Sequence, residues 1–171
     1  LTHPNIVGIY EIAEHEGTHF FSMDYVSGAT LAQILVHGPL APRHAAAVMI
    51  KVALAIHHAH AHGVLHRDLK PSNIIMDCEA EPMVTDFGLA KNDMEDQGLT
   101  LSGQVLGTPA YMAPEQAAGN SREASAATDV YGLGALMYHL LAGRPPFSGP
   151  SHMAILQQVL VSDPVSITLL T

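Results

Sequence analysis

The hydrophobic positions of this chain change period along its length, and each change predicts a different element. Ile6 to Glu14 and His19 to Tyr25 carry the strand formers Ile9, Tyr10, Phe20 and Phe21 and meet around Gly17, which predicts two strands. Gly38-Pro39 marks a turn, and Pro42 stands where a helix can begin without losing an intrahelical hydrogen bond. From there Val48, Met49, Val52, Ala55 and Ile56 follow helical spacing, with Gly63 placed to end the helix. Ile74-Ile75-Met76 and Met83-Val84-Thr85 read as two short strands around the turn-forming stretch Asp77 to Pro82, which sets Asn73 and Asp86 at neighbouring strand boundaries. Residues 89 to 106 are polar and lack an apolar period, so they read as a loop. From Ala124 to Ala142 the apolar residues Val130, Leu133, Leu136, Met137, Leu140 and Leu141 cover much of a helix circumference, which predicts a buried helix ended by Gly143 and Pro145-Pro146. Paired strands, a helix, a second strand pair and a second helix make an α+β chain.

Composition narrows the function classes. With 171 residues, 48% of them hydrophobic, the chain can build one domain with a sizeable core and is no disordered polymer. Its 16 acidic residues against 7 basic ones give no support for nucleic-acid binding and show no polybasic membrane patch. The single Cys78 cannot close an internal disulfide, which suits a reducing, cytoplasmic setting. No signal peptide is visible and the longest apolar stretches fall short of a membrane span, so membrane attachment would require sequence outside this chain.

The candidate chemistry lies between the predicted elements. His66-Arg67-Asp68-Leu69-Lys70-Pro71-Ser72-Asn73 precedes one short strand, and Asp86-Phe87-Gly88 follows the next. Phosphoryl transfer from ATP needs charge neutralised on the phosphates and a hydroxyl aimed in line. Magnesium takes oxygen ligands, which Asn73 and Asp86 can supply. Asp68 can accept the proton of an incoming hydroxyl, and Lys70 can hold the moving phosphate. Taken singly, Asp68 could be a cap, Asn73 a turn residue and Asp86 an exposed loop acid; their joint spacing favours the chemical reading.

HRDLKPSN at 66 to 73, DFG at 86 to 88, GTPAYMAPE at 107 to 115 and DVYGLG at 129 to 134, in that order, resemble the motifs of a Hanks-type Ser/Thr protein kinase. The resemblance implies ATP and magnesium as cofactors and proteins bearing Ser or Thr as partners. It implies a small-lobe remnant with its last two strands and the hinge over residues 1 to 26, and a mainly helical large lobe over 27 to 171. Met23 then corresponds to the gatekeeper, Asp24 to Val26 to the hinge that pairs with adenine, Ile9 to a packed spine linking the lobes, and Ile75 to the residue beneath the adenine ring. Thr100 and Ser102 become candidate phosphorylation sites and Arg67 the cation that receives such a phosphate, with ordinary loop hydroxyls as the alternative. His66, Phe87, Gly88 and Glu115 take structural roles, the expected partner of Glu115 being an Arg in a later segment that this chain does not reach. Asp129 is expected to accept from the backbone amides of the His66-Arg67 turn. Lys70 and Thr108 resemble the pair that frames a short hydroxyl in the Ser/Thr class.

The same resemblance implies a domain truncated at both ends. Leu1-Thr2-His3-Pro4-Asn5-Ile6-Val7 resembles the loop after the regulatory helix, so the glycine-rich loop, the third-strand Lys, the regulatory-helix Glu and the closing helices are expected to be missing. A noncatalytic scaffold or pseudokinase is the competing class, disfavoured because a scaffold has no physical need for Asp68, Asn73 and Asp86 together. The run His57-His58-Ala59-His60-Ala61-His62 invites a metal reading, but no nearby Cys or acid completes a ligand set, and a His near this helix end is common in kinases.

Overall fold

The computed structural model describes residues 1–87, 109–120 and 123–170. Two antiparallel strands, β1 (Ile9–His15) and β2 (Thr18–Met23), form a hairpin whose turn holds Glu16 and Gly17 at positive φ. Both strands start or stop short of the expected spans. Ile6 instead forms a parallel bridge with Val84, and Tyr25 lies beyond β2, 92% exposed. Ile9, at the start of this two-stranded hairpin, is 41% exposed.

A second sheet was only partly visible in the pattern. Its order is β3 (Gly28–Thr30), β4 (Ile74–Asp77), β5 (Pro82–Val84), antiparallel throughout. Three residues are too few to show alternation, which hides β3 from periodicity. The following helix α1 (Leu31–Leu35) is also short, and it is closed by a capping box in which Thr30 Oγ1 accepts from Gln33 N and Gln33 Oε1 accepts from Thr30 N.

The long helix α2 (Pro42–Ala61) begins with Pro42 in its first turn, and Gly63 at φ 75 turns the chain away. Its buried side, Val48, Val52, Ile56 and Ala59, meets Leu136 and Leu140 of α4 (Ala126–Ala142) in one core that also holds Leu31, Ile74 and Val84. Burying each such Val, Leu or Ile side chain contributes about 1.5–3 kcal/mol before conformational entropy is charged. Helix α4 is capped by Ser125 and ended by Gly143 at φ 69, a left-handed position that suits glycine. Two shorter helices, α3 (Pro114–Ala117) and α5 (His152–Val161), lie against each other. Among the described residues no helix is long and apolar enough to cross a membrane.

The opening segment is tied to the second sheet. Val7 N donates to Val84 O and Val84 N to Asn5 O, each at 2.9 Å, while Asn5 Nδ2 donates to Pro82 O at 2.9 Å. These bonds place the end of β5, and so Asp86, beside the start of the chain.

Candidate active site

Helix α2 hands the chain to a loop whose shape is set from beneath by one carboxylate. Asp129, 1% exposed in the first turn of α4, accepts from His66 N at 2.8 Å through Oδ2 and from Arg67 N at 2.7 Å through Oδ1. His60 Nε2 lies 2.7 Å from the same Oδ2, so its proton sits on that nitrogen. A buried carboxylate is tolerated only with such partners. Arg67 consequently rests at φ 65, a left-handed conformation that costs a non-glycine residue roughly 1–2 kcal/mol.

His66 is fully buried and both ring nitrogens are used. Nε2 donates to the Thr85 carbonyl at 3.0 Å, and Nδ1 accepts from Asp68 N at 3.2 Å. The ring packs against Phe87 with centroids 4.7 Å apart. Burial pushes His66 below the ordinary histidine range, with the Asp129 charge opposing. The neutral ring is a strut between the two motifs, with no spare nitrogen for proton transfer.

Asp68 faces the open side, its side chain 33% exposed. Lys70 Nζ lies 2.7 Å from its Oδ2, and Asn73 Nδ2 donates to the Asp68 carbonyl at 3.0 Å and approaches Oδ2 at 3.4 Å. Asp68 Oδ1 makes no hydrogen bond among the described residues, which leaves a lone pair for an incoming hydroxyl. Asn73, 5% exposed, is held in a 3-10 turn (Pro71–Asn73), and among the described residues its Oδ1 has only the Ser72 hydroxyl, at 3.3 Å.

The second motif arrives through the β4–β5 pair. Ile74 faces Val84, and Thr85 N donates to Asn73 O at 3.0 Å, so Asn73 and Asp86 leave the same end of the sheet. Asp86 is exposed at φ 60, a turn that carries its carboxylate out of the strand. The Thr85 hydroxyl lies 3.4 Å from Asp86 Oδ1 and 3.7 Å from Met23 Sδ, which brings Met23 to the cluster. Asp24 is tied elsewhere: its N donates to Gly8 O at 2.9 Å, and its carboxylate accepts from Gly8 N at 3.1 Å and from the Tyr10 hydroxyl. Val26 is half-buried on the segment leading to β3, and Ile75, also half-buried, pairs across the sheet with Thr30 and Met83.

A third segment packs against this loop. Pro109–Tyr111 form a 3-10 turn, and the Tyr111 hydroxyl lies 2.6 Å from His139 Nδ1 on α4. Burial pushes Tyr111 up to about 12 and lowers His139, so the phenol donates and the ring accepts. Glu115 accepts from the Thr128 hydroxyl at 2.5 Å, a partner nearer in sequence than the Arg expected for it. Gly88, Thr100, Ser102 and Thr108 lie outside the described residues.

Four residues of this site were not singled out from sequence for the contacts they make: His60, Thr85, Gln116 and Thr128. For His60 a signal existed. It stands four residues after Ile56 and eight after Val52, on the buried side of α2, where a polar residue needs a partner.

Residues 1–168 match the family model described as "Protein kinase domain". The chain is 44% identical over 168 residues to the serine/threonine-protein kinase PkaA of Streptomyces coelicolor, covering 96% of this chain and 30% of that protein. It is 42% identical over 156 residues to PrkC of Bacillus subtilis, covering 91% of this chain and 24% of that kinase. It is 41% identical over 165 residues to the DNA damage-responsive kinase RqkA of Deinococcus radiodurans, covering 92% and 24% respectively. The chain thus spans less than a third of the length of these relatives.

Proposed function

Because the chain belongs to the protein kinase family, we propose that it serves transfer of the γ-phosphoryl group of ATP to serine or threonine hydroxyls of protein substrates. The observation that carries this reading is the convergence on one loop of a half-buried carboxylate, a lysine 2.7 Å from it and a buried asparagine, with Asp86 leaving the adjacent strand end.

In this reading Asp68 Oδ1 accepts the proton of the substrate hydroxyl as its oxygen attacks the γ-phosphorus and the bond to the β-phosphate oxygen breaks. Lys70 lies beside the transferring group and offsets its negative charge, while holding Asp68 in place. Asn73 Oδ1 and the Asp86 carboxylate are hard oxygen donors at one sheet end, which suits magnesium. The ion, when bound, neutralises charge on the phosphates. Met23, Asp24, Val26 and Ile75 would line the adenine end, with residues 1 to 26 as the end of a small lobe and hinge and 27 to 171 as large lobe. Arg67 would receive a phosphate on Thr100 or Ser102. The ATP requirement and the lone, exposed Cys78 suit a reducing cytoplasmic setting.

A magnesium-dependent transfer assay on the full-length protein tests this. Asp68→Asn should lower kcat by roughly 100-fold or more, the scale of general-base and positioning effects. An unchanged kcat would remove Asp68 from the base role.

A further inference from the structure

One side chain of the 109–117 segment reaches the catalytic loop directly. Gln116 Nε2 donates to the carbonyl oxygen of Arg67 at 2.7 Å, and Gln116 Oε1 accepts from Ala113 N at 3.0 Å. A flipped amide would set oxygen against the carbonyl and NH2 against the Ala113 N–H, so the two neighbours fix its orientation. Gln116 is half-buried, which shields both bonds from water.

The bond matters because of where the carbonyl sits. The Arg67 C=O and the Asp68 N–H belong to one planar peptide unit. Its N–H is held by His66 Nδ1 at 3.2 Å and its C=O by Gln116, so the plane that leads into Asp68 is pinned on both edges. The preceding peptide N–H, that of Arg67, is held by Asp129. A residue at positive φ keeps that conformation only while its surroundings enforce it, and the Gln116 amide restrains the Arg67 carbonyl.

Resting on the reading of Asp68 as base, we propose that Gln116 is a positioning residue that aligns Asp68 with the bound protein substrate by donating to the Arg67 carbonyl. It couples the segment holding Tyr111 and Ala113-Pro114-Glu115 to the orientation of the base. Its contribution falls on turnover, since it touches no group assigned to ATP.

The test uses the full-length protein with ATP, magnesium and dephosphorylated casein as acceptor. Gln116→Met keeps the volume without either bond; Gln116→Glu keeps an acceptor for Ala113 N and turns a carboxylate toward the Arg67 carbonyl. Both should lower kcat by about 10-fold or more, the scale of sub-ångström misalignment, while KM for ATP stays within about twofold. A wild-type kcat in Gln116→Glu alone would assign the role to the Ala113 bond and overturn the proposal. So would losses in kcat matched by a raised KM for ATP and a lowered melting temperature in both variants, the pattern of a residue that only holds the fold. An inactive wild type would overturn the phosphoryl-transfer reading itself, and this inference with it. An active wild type with both variants unimpaired would overturn this inference alone.

Discussion

The Nε2 of His66 donates to the carbonyl of Thr85 across 3.0 Å, and this bond helps tie the loop holding Asp68 to the strand end that presents Asp86. Both ring nitrogens are committed, so the ring must stay neutral to keep both bonds. Burial lowers its pKa from the usual 6.5. The unfolded chain therefore takes up a proton at ordinary histidine pH while the folded site resists it. The stability contributed by the neutral ring is present above about 6.5 and is lost as pH falls below it, at up to about 1.4 kcal/mol per pH unit for one proton. His66→Phe should retain the packing on Phe87, leave Thr85 O and Asp68 N without their partner at a cost of about 1–3 kcal/mol each, and remove this part of the acid slope. Urea titrations at several pH values between 8 and 5, a range chosen to bracket the ordinary histidine pKa of about 6.5, measure both effects. An identical slope in wild type and variant would show that His66 does not titrate on unfolding.

Asp129→Ala removes the acceptor for His66 N, Arg67 N and His60 Nε2 at once. Buried donors left unpaired cost about 1–3 kcal/mol each, so the expected loss is at least about 3 kcal/mol, seen as a lower urea midpoint with an unchanged slope. Asp129→Asn should fall between, since its NH2 group faces a donor.

Asn73→Ala and Asp86→Asn should each raise the magnesium concentration needed for half-maximal transfer by about 10-fold or more, the worth of one charge-assisted contact. Calorimetric titration of magnesium into the protein with ATP gives the same comparison without turnover. Superimposable curves for wild type and Asp86→Asn would exclude Asp86 as a ligand.

A paired glycine test separates sterics from propensity. A Cβ on Gly28 would stand 1.9 Å from Met76 O, so Gly28→Ala must push β3 off β4 and should cost about 1–3 kcal/mol. A Cβ on Gly134 meets nothing within 4 Å on the exposed side of α4, so Gly134→Ala should stabilise by about 0.5–1 kcal/mol. Melting temperatures should move in opposite directions; a fall in both would show that Gly134 has a packing role.

The elements with a long period were legible from residues alone. Pro42 and Gly63 bracket α2, and the apolar positions from Leu133 to Leu141 with Gly143 behind them mark α4, because a helix of several turns repeats its burial often enough to be read; Val130, expected on the buried circumference, is 63% exposed. The four ordered motifs likewise name the family, and with it the residues to inspect. The three-residue strand β3, the tilt of Ile6 into a bridge with Val84, and the exposure of Ile9 were set only by packing. So was the choice of partners. His60 finds Asp129 across 69 positions, Gln116 finds Arg67 across 49, and Glu115 settles on Thr128. Local sequence says that a buried polar group needs a partner, but only the folded chain, by bringing distant backbones within hydrogen-bond range, decides which one it gets.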